Sequence, residues 1–346
     1  MKFMKWIQWL CVVCLSICLA GCQNVKEEES SAIAFDSYTV EAYDGQKSYV
    51  VLNDNVPVFD DISLDLYDGE EYYSRLDRLD RCGMVCAKVG LETMPTEKRE
   101  SIGMVKPTGW QISKYDHIDG QYLYNRCHLI GFQLTAENAN ERNLITGTRY
   151  MNVDGMLPFE NWIGEYVRET GNHVLYEVNP IFIGKEQVAR GVHMQAESIE
   201  DDALAFNVFA YNVQPGIEID YKTGENGPAK LESVSKADAV YVINMNSKKV
   251  HLASCEKVGQ IDEKNRRNTD LKLETLEKMG YELAQCCQSG IDHDGIQEYV
   301  INVNSGKFHR ADCINAQKIK KENCKKVKTT YQNLIDEGYI SSKCCN

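Results

Sequence analysis

The apolar positions in the middle of the chain predict a helix that follows two short strands. Five apolar residues recur at the i, i+3, i+4, i+7 and i+8 spacing of a single helix face: Phe159, Trp162, Ile163, Tyr166 and Val167. Pro158 suits the first turn of such a helix, and Gly171 suits its end. Upstream, residues 122–131 predict a strand that runs into a loop, and 144–148 predict a second strand. The order is strand, loop, strand, helix, a ββα unit.

Short apolar runs flank this unit, and each is bounded by Asn, Gly or Pro. They predict strands of an antiparallel sheet at 38–58, 174–178, 181–183, 192–196 and 206–213. Residues 60–71 are rich in acids and predict a loop. The expected fold class is therefore α+β, with a central antiparallel sheet.

The C-terminal part of the chain is a tandem repeat. Residues 241–255 recur without a gap at 299–313, and the Cys286-Cys287 pair recurs as Cys344-Cys345, 58 residues further on. Each copy predicts a short hairpin, a helix and a Gly-Tyr turn before the cysteine pair, which together make a small α+β module.

Composition and charge divide the chain further. The predicted segments are a signal sequence (1–22), a polar tether (23–35), the ββα-containing domain (36–222), a linker (223–238) and two repeats (239–287 and 298–346). Of the formal charge of −13, residues 23–238 carry −18 and residues 239–346 carry +3. The overall negative charge excludes a polybasic protein that binds nucleic acid through charge alone.

The first 22 residues predict export. A short basic start is followed by an apolar run from Trp6 to Ala20, too short to span a membrane comfortably. The run ends in Leu-Ala-Gly-Cys22, which resembles the lipobox of bacterial lipoproteins. The resemblance implies a lipid anchor on Cys22 and a location on the extracellular face of the bacterial cell membrane, with later shedding as a variant. An ordinary secretory signal is the alternative.

The ββα unit carries the residue types that phosphodiester hydrolysis needs. Histidine supplies a base near neutral pH, an oxygen ligand holds a hard cation, and a guanidinium clamps phosphate. His128, Asn152 and Arg149 fit these three roles if the unit folds as predicted.

The sequence Asn125-Arg126-Cys127-His128 resembles the Asp-Arg-Gly-His motif of the DNA/RNA non-specific endonucleases, the ββα-metal nucleases. Residues 124–167 are similar to the secreted streptococcal-type DNases and the DNA-entry nucleases. The resemblance covers roughly residues 50–222. Asn125 and Cys127 depart from the motif, which has aspartate and glycine at these positions.

The resemblance also implies roles for individual residues. His128 is the general base, Asn152 the direct Mg²⁺ ligand, and Mn²⁺ a substitute cation. Glu160 holds metal-bound water or assists the leaving group, with Glu165 on the same helix as an alternative. Arg126 and Arg149 contact phosphate.

The cysteines of the ββα-containing domain allow two interpretations. A thiol dyad of Cys127 with His128 is rejected, because neighbours in a strand point to opposite faces. Cys82, Cys86 and Cys127 are expected to form one disulfide and to leave one free thiol, with the pairing undetermined.

The repeats resemble the small Ada-like zinc-binding module, which has four soft ligands. The resemblance implies Zn²⁺ ligands at His251, Cys255 and Cys287, and at His309, Cys313 and Cys345. Cys286 and Cys344 would supply the fourth ligands from a shifted position, because the expected positions hold Ala284 and Ser342. A disulfide from Cys255 to Cys286 or Cys287, with its counterpart in the second copy, is an equal alternative.

The prediction is a surface-anchored, Mg²⁺-dependent endonuclease that cuts DNA, with RNA as a further substrate, without sequence preference. No obligate protein partner is implied. The alternative is a catalytically inactive surface protein that binds nucleic acid or cell-wall polymer. Asn125, Cys127 and the net charge motivate it.

Overall fold

A computed structural model describes residues 32–45, 47–287, 297–311, 313–329, 333–334 and 337–342. The chain divides into two compact units, residues 1–42 and 43–346. The described part of the first unit is a hairpin of Ala32–Phe35 (β1) and Tyr38–Glu41 (β2). The last residues of the predicted tether therefore form a strand. The signal sequence and Cys22 lie outside the described residues.

A six-stranded antiparallel sheet forms the centre of the second unit. The strands are Tyr49–Val51 (β3), Glu71–Tyr73 (β4), Val85–Val89 (β5), Val174–Ile181 (β8), Gly191–Ser198 (β9) and Ala205–Tyr211 (β10). Their order in the sheet is β3-β10-β9-β8-β5-β4. The predicted antiparallel sheet and the α+β class are confirmed. The apolar run predicted at 181–183 is not a separate strand, since β8 ends at Ile181.

The ββα unit packs beside this sheet. Tyr124–His128 (β6) pairs antiparallel with Leu144–Thr148 (β7), and a single-turn helix, Phe132–Thr135, lies between them. The chain then forms a π-helical turn, Met151–Met156, which leads directly into the helix Leu157–Thr170. We call these two segments the Asn152 turn and the long helix. The π-helical geometry of the Asn152 turn was not predicted.

The long helix begins and ends where the sequence indicates. Proline occupies its first turn, and Gly171 closes it at φ 75°, a left-handed conformation that glycine adopts without strain. Its apolar face is buried against the sheet, where the Phe159 ring contacts Phe206 (centroids 4.8 Å apart) and Tyr49 (4.9 Å). Truncating Phe159 to alanine would cost about 3–5 kcal/mol. This packing fixes the helix on which Glu160 lies.

Two segments expected to be irregular contain regular structure. The predicted acidic loop includes a one-turn helix, Asp61–Leu64, because the Asp60 carboxylate accepts a hydrogen bond from the Ile62 amide and caps it. Part of the predicted linker forms Asn226–Pro228 (β12), which pairs with Ile217–Ile219 (β11). The Tyr124 hydroxyl donates to the Gly224 carbonyl, so the start of the predicted linker packs on the ββα unit.

The two C-terminal repeats form sheets of the same strand order. The first has the order β15-β13-β14-β16 and the second β19-β17-β18-β20. The first sheet comprises Tyr241–Asn244 (β13), Lys249–Leu252 (β14), Arg266–Thr269 (β15) and Glu282–Leu283 (β16), with a helix at Leu273–Lys278. The second comprises Gln297–Asn302 (β17), Lys307–Arg310 (β18), Cys324–Thr329 (β19) and Ile340–Ser341 (β20), with a helix at Ile314–Gln317.

The edge strands β15 and β19 were not predicted. Both are dominated by polar and basic residues, so neither shows the apolar alternation that marks a strand.

Among the residues that the structure describes, no helix is both long enough and apolar enough to cross a membrane.

Candidate active site

A cleft of about 770 Å³ lies where the ββα unit meets the loop of residues 99–112. It brings together the residues predicted to act on phosphate and metal: Arg126, His128, Arg149, Asn152 and Glu160. These side chains come from β6, from the Asn152 turn and the residues before it, and from the long helix. The ββα unit is therefore the scaffold that assembles them.

His128 is held in one orientation at the end of β6. Its Nε2 lies 2.7 Å from the Asn138 carbonyl oxygen, which can only accept a hydrogen bond, so Nε2 carries the proton. The Nδ1 atom is then an acceptor, and it lies 3.3 Å from an Arg99 guanidinium nitrogen. The pKa of His128 is lowered to about 4, chiefly by burial and also by the positive charge of Arg99, while the hydrogen bond to Asn138 acts in the opposite direction. The ring is neutral at pH 7, as a proton acceptor must be.

Asn152 is held by an unexpected partner. The Cys127 thiol lies 2.9 Å from the Asn152 Oδ1 atom and 3.4 Å from the Met156 sulfur. Burial raises the pKa of Cys127 well above its usual range, so the thiol stays protonated and donates to Oδ1. One lone pair of Oδ1 remains for another partner.

Glu160 is a buried carboxylate beneath the cleft. Its Oε1 accepts a hydrogen bond from the Gly131 amide at 2.8 Å. Burial raises its pKa to about 7, although this hydrogen bond and the charge of Arg99 act in the opposite direction. The alternative, Glu165, does not line the cleft and instead lies 3.2 Å from the Lys318 amine.

The two predicted phosphate-binding arginines differ in how firmly they are held. Arg126 lies over the Trp110 ring, 4.2 Å from its centroid, and donates to the carbonyls of Val105 and Gly103. Arg149 pairs with the exposed Asp119 at 2.6 Å. Its buried Nε has no hydrogen-bond partner among the described residues.

Asn125, which replaces the aspartate of the motif, also offers a donor to the cleft. Its buried Nδ2 has no hydrogen-bond partner in the described part of the chain. Leaving a buried donor unpaired costs about 1–3 kcal/mol, a cost that an anionic ligand would remove. Two residues that line the cleft, Asn125 and Arg149, therefore each hold a buried donor without a partner among the described residues.

The expected disulfide among Cys82, Cys86 and Cys127 is wrong, because all three carry free buried thiols. Cys82 donates to the Glu141 and Leu144 carbonyls, and Cys127 is engaged with Asn152. Cys86 packs in a separate apolar cluster with Leu66 and Leu175. The three sulfurs therefore have different surroundings.

The first repeat contains a compact cluster of soft ligands. One ligand atom from each of His251, Cys255, Cys286 and Cys287 lies within 4.8 Å of all the others. The Cys255 and Cys286 sulfurs are 3.6 Å apart, far more than the roughly 2.05 Å of a disulfide. In this repeat the structure has thiols where the disulfide alternative requires a bond.

In the second repeat, His309 Nδ1 lies 3.8 Å from the Cys313 sulfur, close to the corresponding distance in the first repeat. Cys344 and Cys345 lie outside the described residues.

Residues 62–200 match the family model of the DNA/RNA non-specific endonucleases. The chain carries a DNA/RNA non-specific endonuclease domain. The matched range includes β4 to β9, the cleft residues from Arg99 to Glu160 and the long helix. It stops before the C-terminal repeats.

Several solved nuclease structures are similar to about half of this chain. NucA from Streptococcus agalactiae with magnesium bound is 22% identical, with 54% of this chain and 88% of that chain covered and a TM-score of 0.47. The metal-free form of the same protein gives 22% identity, 54% and 89% coverage and a TM-score of 0.46. Sda1 nuclease with a bound zinc ion is 25% identical, with 47% and 82% covered and a TM-score of 0.40.

One contributor to the endonuclease cleft was missed by the sequence analysis. Arg99 lines the cleft and approaches His128 from a segment without strands or helices, 29 residues upstream. No motif or periodicity surrounds it, so nothing in a single sequence distinguishes it from the neighbouring charged residues.

Proposed function

We propose that this protein is a surface-anchored, Mg²⁺-dependent endonuclease that cuts DNA, and RNA as a further substrate, without sequence preference. The observation that carries the proposal is the state of His128. A neutral ring at the cleft, with its proton fixed on Nε2 and its basic Nδ1 atom 3.3 Å from an Arg99 guanidinium nitrogen, can accept a proton from water once Arg99 turns to the substrate phosphate.

The donor set of the cleft fits a hard divalent cation. Asn152 Oδ1 has a lone pair left beside the Cys127 hydrogen bond. Glu160 is a buried carboxylate whose ionised form has no cation partner at hydrogen-bond distance among the residues that the structure describes. Oxygen ligands of this kind suit Mg²⁺, with Mn²⁺ as a substitute, and water and substrate phosphate complete the coordination. When bound, Mg²⁺ stabilises the negative charge that develops on phosphate and on the leaving oxygen.

The remaining steps belong to the protein. His128 accepts the proton of the attacking water at Nδ1, while the Asn138 carbonyl holds the ring in place. Arg149 contacts phosphate, and the unpaired Nδ2 of Asn125 is available to a phosphate oxygen. Arg126, already bound to two backbone carbonyls, shapes the cleft wall and adds positive charge. Glu160 would hold water at the site that binds the cation.

The metal assignment is tested by titrating Mg²⁺ into the chain without its predicted signal sequence. We expect plasmid cleavage to depend on Mg²⁺ and to stop in EDTA, and Asn152→Ala to weaken Mg²⁺ binding measured by calorimetry. Unchanged Mg²⁺-dependent cleavage by Asn152→Ala would refute the assignment.

The location is proposed from the sequence alone. Lipidation of Cys22 would hold the enzyme on the extracellular face of the bacterial cell membrane. The wild-type protein should then partition into the detergent phase of Triton X-114, and Cys22→Ala should move to the aqueous phase. Aqueous partitioning of both would support an ordinary secreted protein instead.

A structural Zn²⁺ in the first repeat completes the proposal. Three thiols and an imidazole form the closed, tetrahedral type of ligand set that such sites use. An ion there would stabilise a module whose apolar core is small.

A further inference from the structure

The first repeat packs directly against the segments that support the cleft. Its helix Leu273–Lys278 lies beside Gly45, where the Thr275 hydroxyl donates to the Gly45 carbonyl. A side chain at Gly45 would come within 2.6 Å of Leu271. The close approach and the positive φ of 80° at Gly45 both favour glycine at this position.

Lys278, at the end of this helix, reaches the Asn152 turn itself. Its amine lies 3.1 Å from the Asp154 Oδ1 atom and 4.7 Å from the centroid of the Tyr150 ring. The same amine lies 3.3 Å from Glu274 within the repeat. One side chain of the repeat therefore contacts Asp154 within the turn and Tyr150 just before it.

Asp154 and Asn152 project to different sides of the turn. Residues two apart on a helical turn do not face each other. Asn152 lines the cleft and Asp154 does not. The backbone of Asp154 is held as well, since its carbonyl accepts a hydrogen bond from the Ser48 hydroxyl at 2.8 Å. The turn is thus fixed from the side opposite the cleft.

A π-helical turn has particular need of such support. π-Helices are rare, occur mostly as single turns and are frequent at functional sites. Cys127 holds the Asn152 side chain from the inner side, and Lys278 holds the same turn from the outer side.

We propose that Lys278 is a positioning residue for Asn152, and that the first repeat is thereby a structural part of the nuclease site. The inference rests on the proposed role of Asn152 as the metal ligand. Loss of the Lys278–Asp154 contact would let the Asn152 turn relax, so Mg²⁺ would bind less tightly while the chemistry at saturating Mg²⁺ would change little.

The test compares Lys278→Met with Lys318→Met in the otherwise intact chain. Methionine keeps most of the apolar stem and removes the charge. Lys318 is a matched control, because it joins the second repeat to Glu165 on the long helix, away from the Asn152 turn. Calorimetry without substrate gives the Mg²⁺ affinity, cleavage at saturating Mg²⁺ gives kcat, and circular dichroism monitors the fold.

We expect Lys278→Met to weaken Mg²⁺ binding about threefold to fivefold, the upper part of the range that a partly exposed ion pair contributes. Its kcat at saturating Mg²⁺ should stay within about twofold, and Lys318→Met should match the wild type. Asp154→Ala should give the same loss, with no further loss in the double variant. Equal Mg²⁺ affinity in Lys278→Met and the wild type overturns the proposal.

Asn152→Ala separates the two levels of the argument. If it abolishes Mg²⁺ binding while Lys278→Met changes nothing, only the positioning role fails. If Asn152→Ala binds Mg²⁺ normally, the proposed metal site itself fails.

Discussion

The Cys127 thiol lies 2.9 Å from the Asn152 Oδ1 atom, although the two residues are 25 positions apart in the sequence. The contact places a sulfur donor where the Asp-Arg-Gly-His motif has a glycine without a side chain. A departure from the motif thus supplies a hydrogen bond to the residue proposed to bind the metal.

Cys127→Ala should weaken Mg²⁺ binding several-fold, because Asn152 loses the donor that orients it. Cys127→Ser should retain near-wild-type affinity, since a hydroxyl also donates to Oδ1. Each change should destabilise the fold by about 0.5–3 kcal/mol, the usual range for a single substitution. Calorimetry of Mg²⁺ binding to both variants is the check. Equal Mg²⁺ affinity in Cys127→Ala and Cys127→Ser would show that the hydrogen bond to Asn152 does not affect metal binding.

The decrease of kcat/KM at acid pH should be set by the pKa of His128. The neutral ring is the base, so activity is present above the lowered pKa of about 4 and falls as the pH drops through it. Arg99→Ala removes a positive charge beside Nδ1, which raises the pKa of His128 and moves the acid limb to higher pH. Lys98→Ala, an exposed neighbouring cation, is the control and should leave the limb in place. An unshifted limb in Arg99→Ala would contradict the electrostatic role.

Glu160→Gln should lower the nuclease activity and raise the stability of the fold. Because the pKa of Glu160 is raised to about 7 in the folded state, its ionisation lowers stability as the pH rises from its unfolded value of about 4.5 to 7. In EDTA at pH 8 the glutamine variant should therefore melt higher, by about 2–4 °C for each kcal/mol relieved. Its Mg²⁺-dependent cleavage should be lost. Glu165→Gln, on the exposed side of the same helix, should change neither the melting temperature nor the cleavage rate. A lower melting temperature for Glu160→Gln would contradict the predicted gain in stability.

The first repeat should bind one zinc ion through its four clustered ligands. Elemental analysis should detect this zinc in the wild type and a loss of about one equivalent in Cys286→Ser. Cys324→Ser, which changes a thiol outside the cluster, should keep it. Absence of zinc together with a mass two units lower for the native chain than for the reduced chain would support a disulfide instead.

The elements that follow apolar periodicity could be predicted from the sequence. The long helix and strands β6 to β10 bury one or both faces, so the spacing of their apolar residues indicates their secondary structure. The shared motif also brought His128, Asn152 and Glu160 into one hypothesis, and the structure places all three in one cleft.

The features that could not be predicted from the sequence depend on contacts between distant segments. Arg99 reaches His128 from an irregular loop, and Lys278 reaches Asp154 across 124 positions. The edge strands β15 and β19 are polar, so they carry no apolar alternation. The expected disulfide failed because cysteine pairing depends on the distance and direction of side chains, which spacing along the chain does not reveal.

The central claim is that His128 activates water in an Mg²⁺-dependent nuclease site. The most direct measurement is the rate of supercoiled plasmid cleavage, with and without Mg²⁺, by the wild type, His128→Ala and the control His173→Ala. His173 pairs with Glu92 and Glu200 and does not line the cleft. We expect Mg²⁺-dependent cleavage by the wild type and by His173→Ala, and a loss of about 10²–10⁴-fold in His128→Ala. Equal cleavage by His128→Ala and the wild type would place the base elsewhere and contradict the account.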